Sequence, residues 1–221
     1  MFYTSEYHQS IRKLVVAFGT MFNNVQISVE GNNITLPLSY SPRQRFMAKV
    51  RQAQIGNAEI GLTLPRMAFE LSNISYDAQR KLNSLTPMWI SHSTGTETAD
   101  IQYQRVPYNI DISLYALVRE TEEGLQIVES ILPYFTPELN ISINDVVKHD
   151  IPLTLNSTSF QDDYEGTLSG TQARTITWNF DFTAKTYLYH PARTEKYISG
   201  SNIVFKLVDE DNPHDLEGNP I

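Results

Sequence analysis

With 221 residues and 41% hydrophobic content, the chain is long enough to bury a sizeable core, and a single domain over 1–208 is expected. A formal charge of -8 argues against wrapping nucleic acid, whose phosphates are held by clustered Lys and Arg. Cysteine is absent, which excludes disulfides, thiolate metal sites and cysteine nucleophiles and makes a reducing compartment the easiest setting.

The opening Met1-Phe2-Tyr3-Thr4-Ser5-Glu6 has no basic stretch leading into an apolar run. No stretch approaches the roughly 20 apolar residues that span a bilayer, so a soluble protein is expected. Tyr7, Ile11, Leu14, Val15, Phe18, Met21 and Phe22 recur at helical spacing, which predicts an amphipathic helix ended by Asn23-Asn24. Val25, Ile27 and Val29, then Ile34, Leu36, Leu38 and Tyr40, alternate with polar residues around Gly31-Asn32-Asn33 and predict a β-hairpin. Ser41-Pro42 reads as a cap with proline in the first turn, opening a short helix with Phe46, Met47 and Val50. Leu62 to Tyr76 reads as a strand, with Pro65 confining its start to an edge or a bulge.

Residues 83–108, where polar clusters separate short apolar groups, are expected to form a long loop. Ile110, Ile112, Leu114 and Tyr115-Ala116-Leu117-Val118 predict a central strand. Glu120 to Glu123 then lead, with acids at the positive end, into a helix carrying Leu125, Val128, Ile131 and Leu132 and closed by Pro133 and Pro137. Ile131-Leu132-Pro133-Tyr134-Phe135 is apolar enough to be core. Further strands are expected over 151–160, 174–188 and 197–207, the second marked by Ile176, Trp178, Phe180 and Phe182. This order predicts an α+β fold with a largely antiparallel (mixed) sheet and helices packed on one face. From Asp209 to Ile221 the composition turns acidic and offers little to a core, so a flexible tail is expected.

The search for chemistry returns no site. No glycine pattern forms a dinucleotide fingerprint, Walker loop or nucleophile elbow. His8, His92, His149, His190 and His214 are dispersed, without a pair at helical ligand spacing. Asp162-Asp163 with Glu165 could hold a hard cation or do acid–base work, but they lie in a turn-like stretch ending at Gly170 and read as a solvated loop. Tyr134-Phe135, Trp178, Phe180, Phe182, Tyr187 and Tyr189 could stack on a sugar, although alternating strand aromatics more often pack into a core or subunit interface. No catalytic, cofactor-binding or metal-ligating residue is assigned.

Several stretches, in order, resemble the tail sheath stabilisers, or tail-completion proteins, of T4-like contractile phages. They are Ile11-Arg12-Lys13 through Met21-Phe22-Asn23-Asn24-Val25-Gln26-Ile27, Leu36-Pro37-Leu38-Ser39-Tyr40, Phe46-Met47-Ala48-Lys49, and Leu64-Pro65-Arg66-Met67 running to Ile74-Ser75-Tyr76. The most specific is Leu125-Gln126-Ile127-Val128-Glu129-Ser130 through Thr136-Pro137, continuing to Asp150-Ile151-Pro152-Leu153. The last is Arg174-Thr175-Ile176-Thr177-Trp178-Asn179-Phe180-Asp181-Phe182, leading to Tyr189-His190-Pro191.

The resemblance implies a non-enzymatic, tail-terminator-like subunit without cofactors. It implies a homohexameric ring at the head-proximal end of the tail, assembled in the host cytoplasm. Such a ring contacts the tail terminator, the tail sheath protein and the neck or head-completion proteins, with DNA passing through unbound. Runner-up readings are the tail terminator or another neck ring protein and, from a different class, a phage carbohydrate-binding module or hydrolase. Loops on a rigid scaffold commonly carry binding. Partner contacts are therefore expected at His92, Thr94, Glu97 and Asp100 of the 83–108 region and at Asp209, Glu210, Asp211 and Asp215 of the acidic tail.

Overall fold

The computed structural model describes residues 7–29, 31–54, 64–83, 86–91, 98–144, 148–165, 173–191 and 193–196. In chain order the elements are α1 (Ser10–Phe22), β1 (Gln26–Val29), β2 (Asn32–Thr35), β3 (Leu38–Tyr40), α2 (Arg43–Gln54) and β4 (Arg66–Tyr76). There follow β5 (Pro87–Ser91), β6 (Thr98–Tyr103), β7 (Val106–Val118), α3 (Thr121–Ile131), β8 (Glu138–Asn144), β9 (Lys148–Glu165), β10 (Ala173–Leu188) and β11 (Arg193–Lys196). Six strands form the main sheet in the order β3-β4-β7-β10-β9-β8, antiparallel throughout except for the parallel pair β3 and β4. The α+β class with a mixed, largely antiparallel sheet is as expected.

The core follows from the strand period of two. Even-numbered side chains of β7 and β10, among them Ile110, Ile112, Leu114, Phe180 and Phe182, point to one face and are buried. Onto that face α1 lays Leu14, Phe18 and Phe22, spaced four apart so that they share one helix side. Phe18 meets Phe69 and Phe182 at ring-centroid distances of 5.2 and 5.4 Å. Tyr7, placed in the helical stripe by its spacing, precedes the helix and is 71% exposed. On the same face α3 adds Ile127 and Ile131. Its amino terminus is closed by a capping box, in which Glu120 accepts from the backbone of Glu123 and Glu123 returns the bond. Gly124 lets the helix approach the sheet, because a Cβ there would overlap the Trp178 indole. The third helix, α2, packs Phe46 against Ala68, Tyr115 and Leu117 on the opposite face, so the helices do not all share one face as expected.

Two bulges sit at one level of the sheet. In β4 the register shifts between Leu71 and Asn73, opposite Ile112 and Asp111; in β9 it shifts opposite Asp181 and Phe182, which pair with Ser113 and Ile112. A bulge bends its strand and increases twist, so paired bulges on either side of β7 and β10 curl the sheet there.

Other expectations need correction, and one strand carries no expectation from the sequence. Residues 83–108 are not a long loop: β5 and β6 lie within them, and β6 is the middle strand of a second sheet, β11-β6-β5. The ladder from β6 to β11 joins segments far apart in sequence, which local turn signals cannot reveal. Residues 138–144 form β8, an edge strand that pairs with β9 and buries Ile143. β9 continues to Glu165, so Asp162 and Asp163 lie in a strand opposite Ile176 and Thr175 rather than in a loop. Finally, the 131–135 run is only half core. Ile131 is buried and Phe135 packs on Phe182 at 5.1 Å, while Leu132 and Tyr134 point outward, Tyr134 being 70% exposed. The expected hairpin forms over β1 and β2, turning at Gly31 with φ of 81°, a backbone that favours glycine, but Leu38 and Tyr40, expected in its second arm, belong to β3, which pairs in parallel with β4. The strand expected over 197–207 and the acidic tail from 209 lie outside the described residues.

Candidate contact surfaces

The first surface is the polar face of the main sheet, built by the odd-numbered residues of the strands whose even-numbered residues make the core. Asp181 accepts hydrogen bonds from Ser113 and Ser157, both at 2.9 Å. Asp111 accepts from Thr183 at 2.6 Å and from Asn73 at 3.1 Å, and Thr183 accepts in turn from Asn156 at 2.6 Å. The bulges supply two members of this lattice, Asn156 and Ser72, whose hydroxyl lies 3.3 Å from that of Ser113. Towards α2, Tyr115 donates to Glu70 at 2.6 Å and Arg43 lies over its ring. Burial, reinforced by the Glu70 carboxylate, pushes the Tyr115 phenol up to about 12. Each carboxylate here is occupied by hydroxyl or amide donors, an arrangement that rigidifies a surface and offers no free base.

The second surface lies at the end of the sheet where β7 begins. Arg80 forms a 2.7 Å ion pair with Asp77 and donates to the Tyr108 carbonyl and to Asn109. The hydrogen bond from Arg80 holds the Asp77 carboxyl below its usual value. Tyr187 is flanked by two guanidinium groups, Arg105 at 4.1 Å and Arg80 at 5.2 Å from its centroid. Buried Gln102 donates to the His190 carbonyl at 2.6 Å, tying β6 to the chain leaving β10. Beside these residues a groove of about 320 Å³ is open to solvent.

A third surface is apolar. Met21, Phe22, Val25, Ile131, Tyr134, Phe135 and Leu139 line a depression of about 280 Å³ between the ends of α1 and α3 and the start of β8. Leu132, the neighbour of Ile131 in sequence, is also exposed.

Of the residues expected to make contacts, the structure places Asp100 in β6, paired across the backbone with Ile90 on one side and Thr194 on the other. His92, Thr94, Glu97, Asp209, Glu210, Asp211 and Asp215 lie outside the described residues. From the same 83–108 region, Tyr103 and Arg105 line the groove of the second surface. The polar lattice was not foreseen. Its signal is the alternation of Asp111, Ser113, Asn179, Asp181 and Thr183 with core residues, which reads as a half-buried sheet rather than one covered on both sides. Among the described residues no group of three or more His, Asp or Glu side chains could hold a metal ion, and no helix is long and apolar enough to cross a membrane.

Fold and surfaces together define a class: an α+β protein with one sheet face closed by α1 and α3, the other largely polar beside α2, an apolar depression between α1 and α3, and a groove bearing Lys81 and Arg105 at the start of β7. Comparison with known proteins then gives the family. Residues 5–218 match the model of the T4-like virus Myoviridae tail sheath stabilisers, and the chain belongs to that family. The tail completion protein gp15 of Enterobacteria phage T4 is 29% identical over 200 residues, a match spanning 84% of this chain and 72% of that protein. Membership in that family makes the chain a component of a T4-like phage tail.

Proposed function

We propose that this chain forms a homohexameric ring at the head-proximal end of the tail, next to the tail terminator. There it locks the last sheath ring and tube and presents the docking surface for the neck proteins that join the head. The observation that carries this reading is the family match across residues 5–218. Ring closure requires two different patches on each copy, one meeting the other on its neighbour. The apolar depression between α1 and α3 and the outer edge of β8 offer such patches, since among the described residues β8 pairs only with β9.

The role is structural rather than enzymatic, and the hydrogen-bonded carboxylates of the polar face fit it. Residues 1–208 act as the ring-forming domain, and 209–221 act as an acidic arm that, with the 83–108 region, meets neck partners. The formal charge of -8, repeated around a channel, repels phosphates and lets DNA pass without specific binding. Assembly takes place in the host cytoplasm, from subunits that need no cofactor.

Electron microscopy of the purified chain tests the ring. Six-fold rings that cap isolated sheath–tube assemblies are expected, whereas a strict monomer that leaves those assemblies uncapped would overturn the reading. Deleting 209–221 is expected to leave the ring intact and to weaken head-to-tail joining.

A further inference from the structure

The groove at the start of β7 has a distinct chemistry. Tyr76, Lys81, Leu82, Tyr103, Arg105 and His190 are among the residues that line it, so its walls are aromatic and aliphatic and its charged groups, Lys81 and Arg105, are cationic. Asp77, next in sequence to Tyr76 of the groove, is engaged by Arg80. Neither exposed Lys81 nor Arg105, whose guanidinium lies on the Tyr187 ring, has a carboxylate partner among the described residues. A local excess of positive charge thus faces solvent on a chain of formal charge -8. Charges set beside apolar walls are less screened than charges in open water, so the groove favours a ligand that brings carboxylates together with apolar side chains.

One segment of this chain has that composition. Residues 209–221 carry Asp209, Glu210, Asp211, Asp215 and Glu217 without a single Lys or Arg, interleaved with Pro213, Leu216 and Pro220. The position of β11 allows the encounter. Lys196 pairs with Thr98 at one end of β6, and Tyr103 of the groove is at the other end, about 16 Å away at the strand rise. The residues between 196 and 209 can extend to about 40 Å, ample for that distance.

We infer that this groove is the seat of the acidic segment 209–221, supplied by the same copy or by a neighbouring one. The other depressions suit it less: the one between α1 and α3 presents no Lys or Arg, and the one beside Arg12 and Lys13 has no aromatic wall. The inference rests on the groove's own chemistry and stands apart from the ring. Combined with the ring, it means that a neck partner competes for a segment already held.

The test uses the full chain with Leu82→p-benzoylphenylalanine, irradiated and mapped by mass spectrometry. Crosslinks to 209–221 are expected, and mixing isotope-labelled with unlabelled chains separates attachment within a copy from attachment between copies, either of which supports the inference. Lys81→Glu, at an exposed side chain, and about 0.5 M salt are each expected to lower that yield about five-fold or more, while Lys81→Arg retains it. An unchanged melting curve for Lys81→Glu shows that the fold is intact. No crosslink to 209–221, or a yield indifferent to both Lys81→Glu and salt, overturns the inference. So does a groove that crosslinks only to an added tail protein.

Discussion

The face of the main sheet under α1 and α3 is closed by Phe18, Phe180 and Phe182, all fully buried, whereas the opposite face is a lattice of Asp111, Ser113, Asp181 and Thr183 joined by hydrogen bonds. Both faces belong to the same strands, since Phe180 and Asp181 are neighbours on β10. The first face is held by removal of apolar surface from water, which is non-directional and large per residue. The second is held by donor–acceptor matching, which is directional and small in net value. One face therefore supplies most of the stability, and the other supplies a defined polar shape for partners to meet.

Substitutions can separate these contributions. Phe180→Ala removes a fully buried ring from the centre of the first face and is expected to cost about 3–5 kcal/mol in denaturant unfolding. A cost below about 1 kcal/mol would show that this core is loose. Gly124→Ala is expected to cost about 1–3 kcal/mol, because the added methyl must displace either α3 or the Trp178 indole. Should stability be unchanged, the close approach of α3 to the sheet would be wrong.

On the polar face, Asp181→Ala removes the acceptor shared by the Ser113 and Ser157 hydroxyls and is expected to cost about 1–2 kcal/mol, less than the core ring. Comparison with the double variant Asp181→Ala/Ser113→Ala measures the coupling: a value near zero would mean that the lattice is not cooperative. The smallest effect is expected at Tyr115. Its folded-state value of about 12 lies above the ordinary 10, so the fold favours the neutral phenol. That contribution is fully present below pH 10 and is lost as the pH rises through 12. Tyr115→Phe should therefore cost about 1 kcal/mol at neutral pH through the lost bond to Glu70, and less as the pH climbs from 10 to 12. An equal cost at both ends of that range would remove the phenol from the pH response.

Much of the fold is legible in local patterns. Leu14, Phe18 and Phe22 predict both α1 and its buried side, and Ile176 through Phe182 predict the inward row of β10, because helical and strand periods convert directly into faces. The second sheet is not legible, since β6 takes its partners from β5 and from β11, beyond four intervening strands of the main sheet, and a ladder leaves no local mark. The site was legible in part. The sequence points to the 83–108 region as a loop that carries contacts, yet Tyr103 and Arg105 of that region reach the groove from the end of β6 and the step into β7, and the place of Arg105 depends on Tyr187 lying beneath its guanidinium.

By itself the sequence determined the family, the α+β class and which residues shun water, because composition, order and periodicity are properties of the chain read one segment at a time. Only the tertiary structure decided which polar residues meet. The bulges of β4 and β9 fall on one row of the sheet, and Arg80 and Arg105 reach the same tyrosine from different segments. Those meetings depend on register and on strand order in space, which follow from the packing of the whole chain and not from any stretch of it.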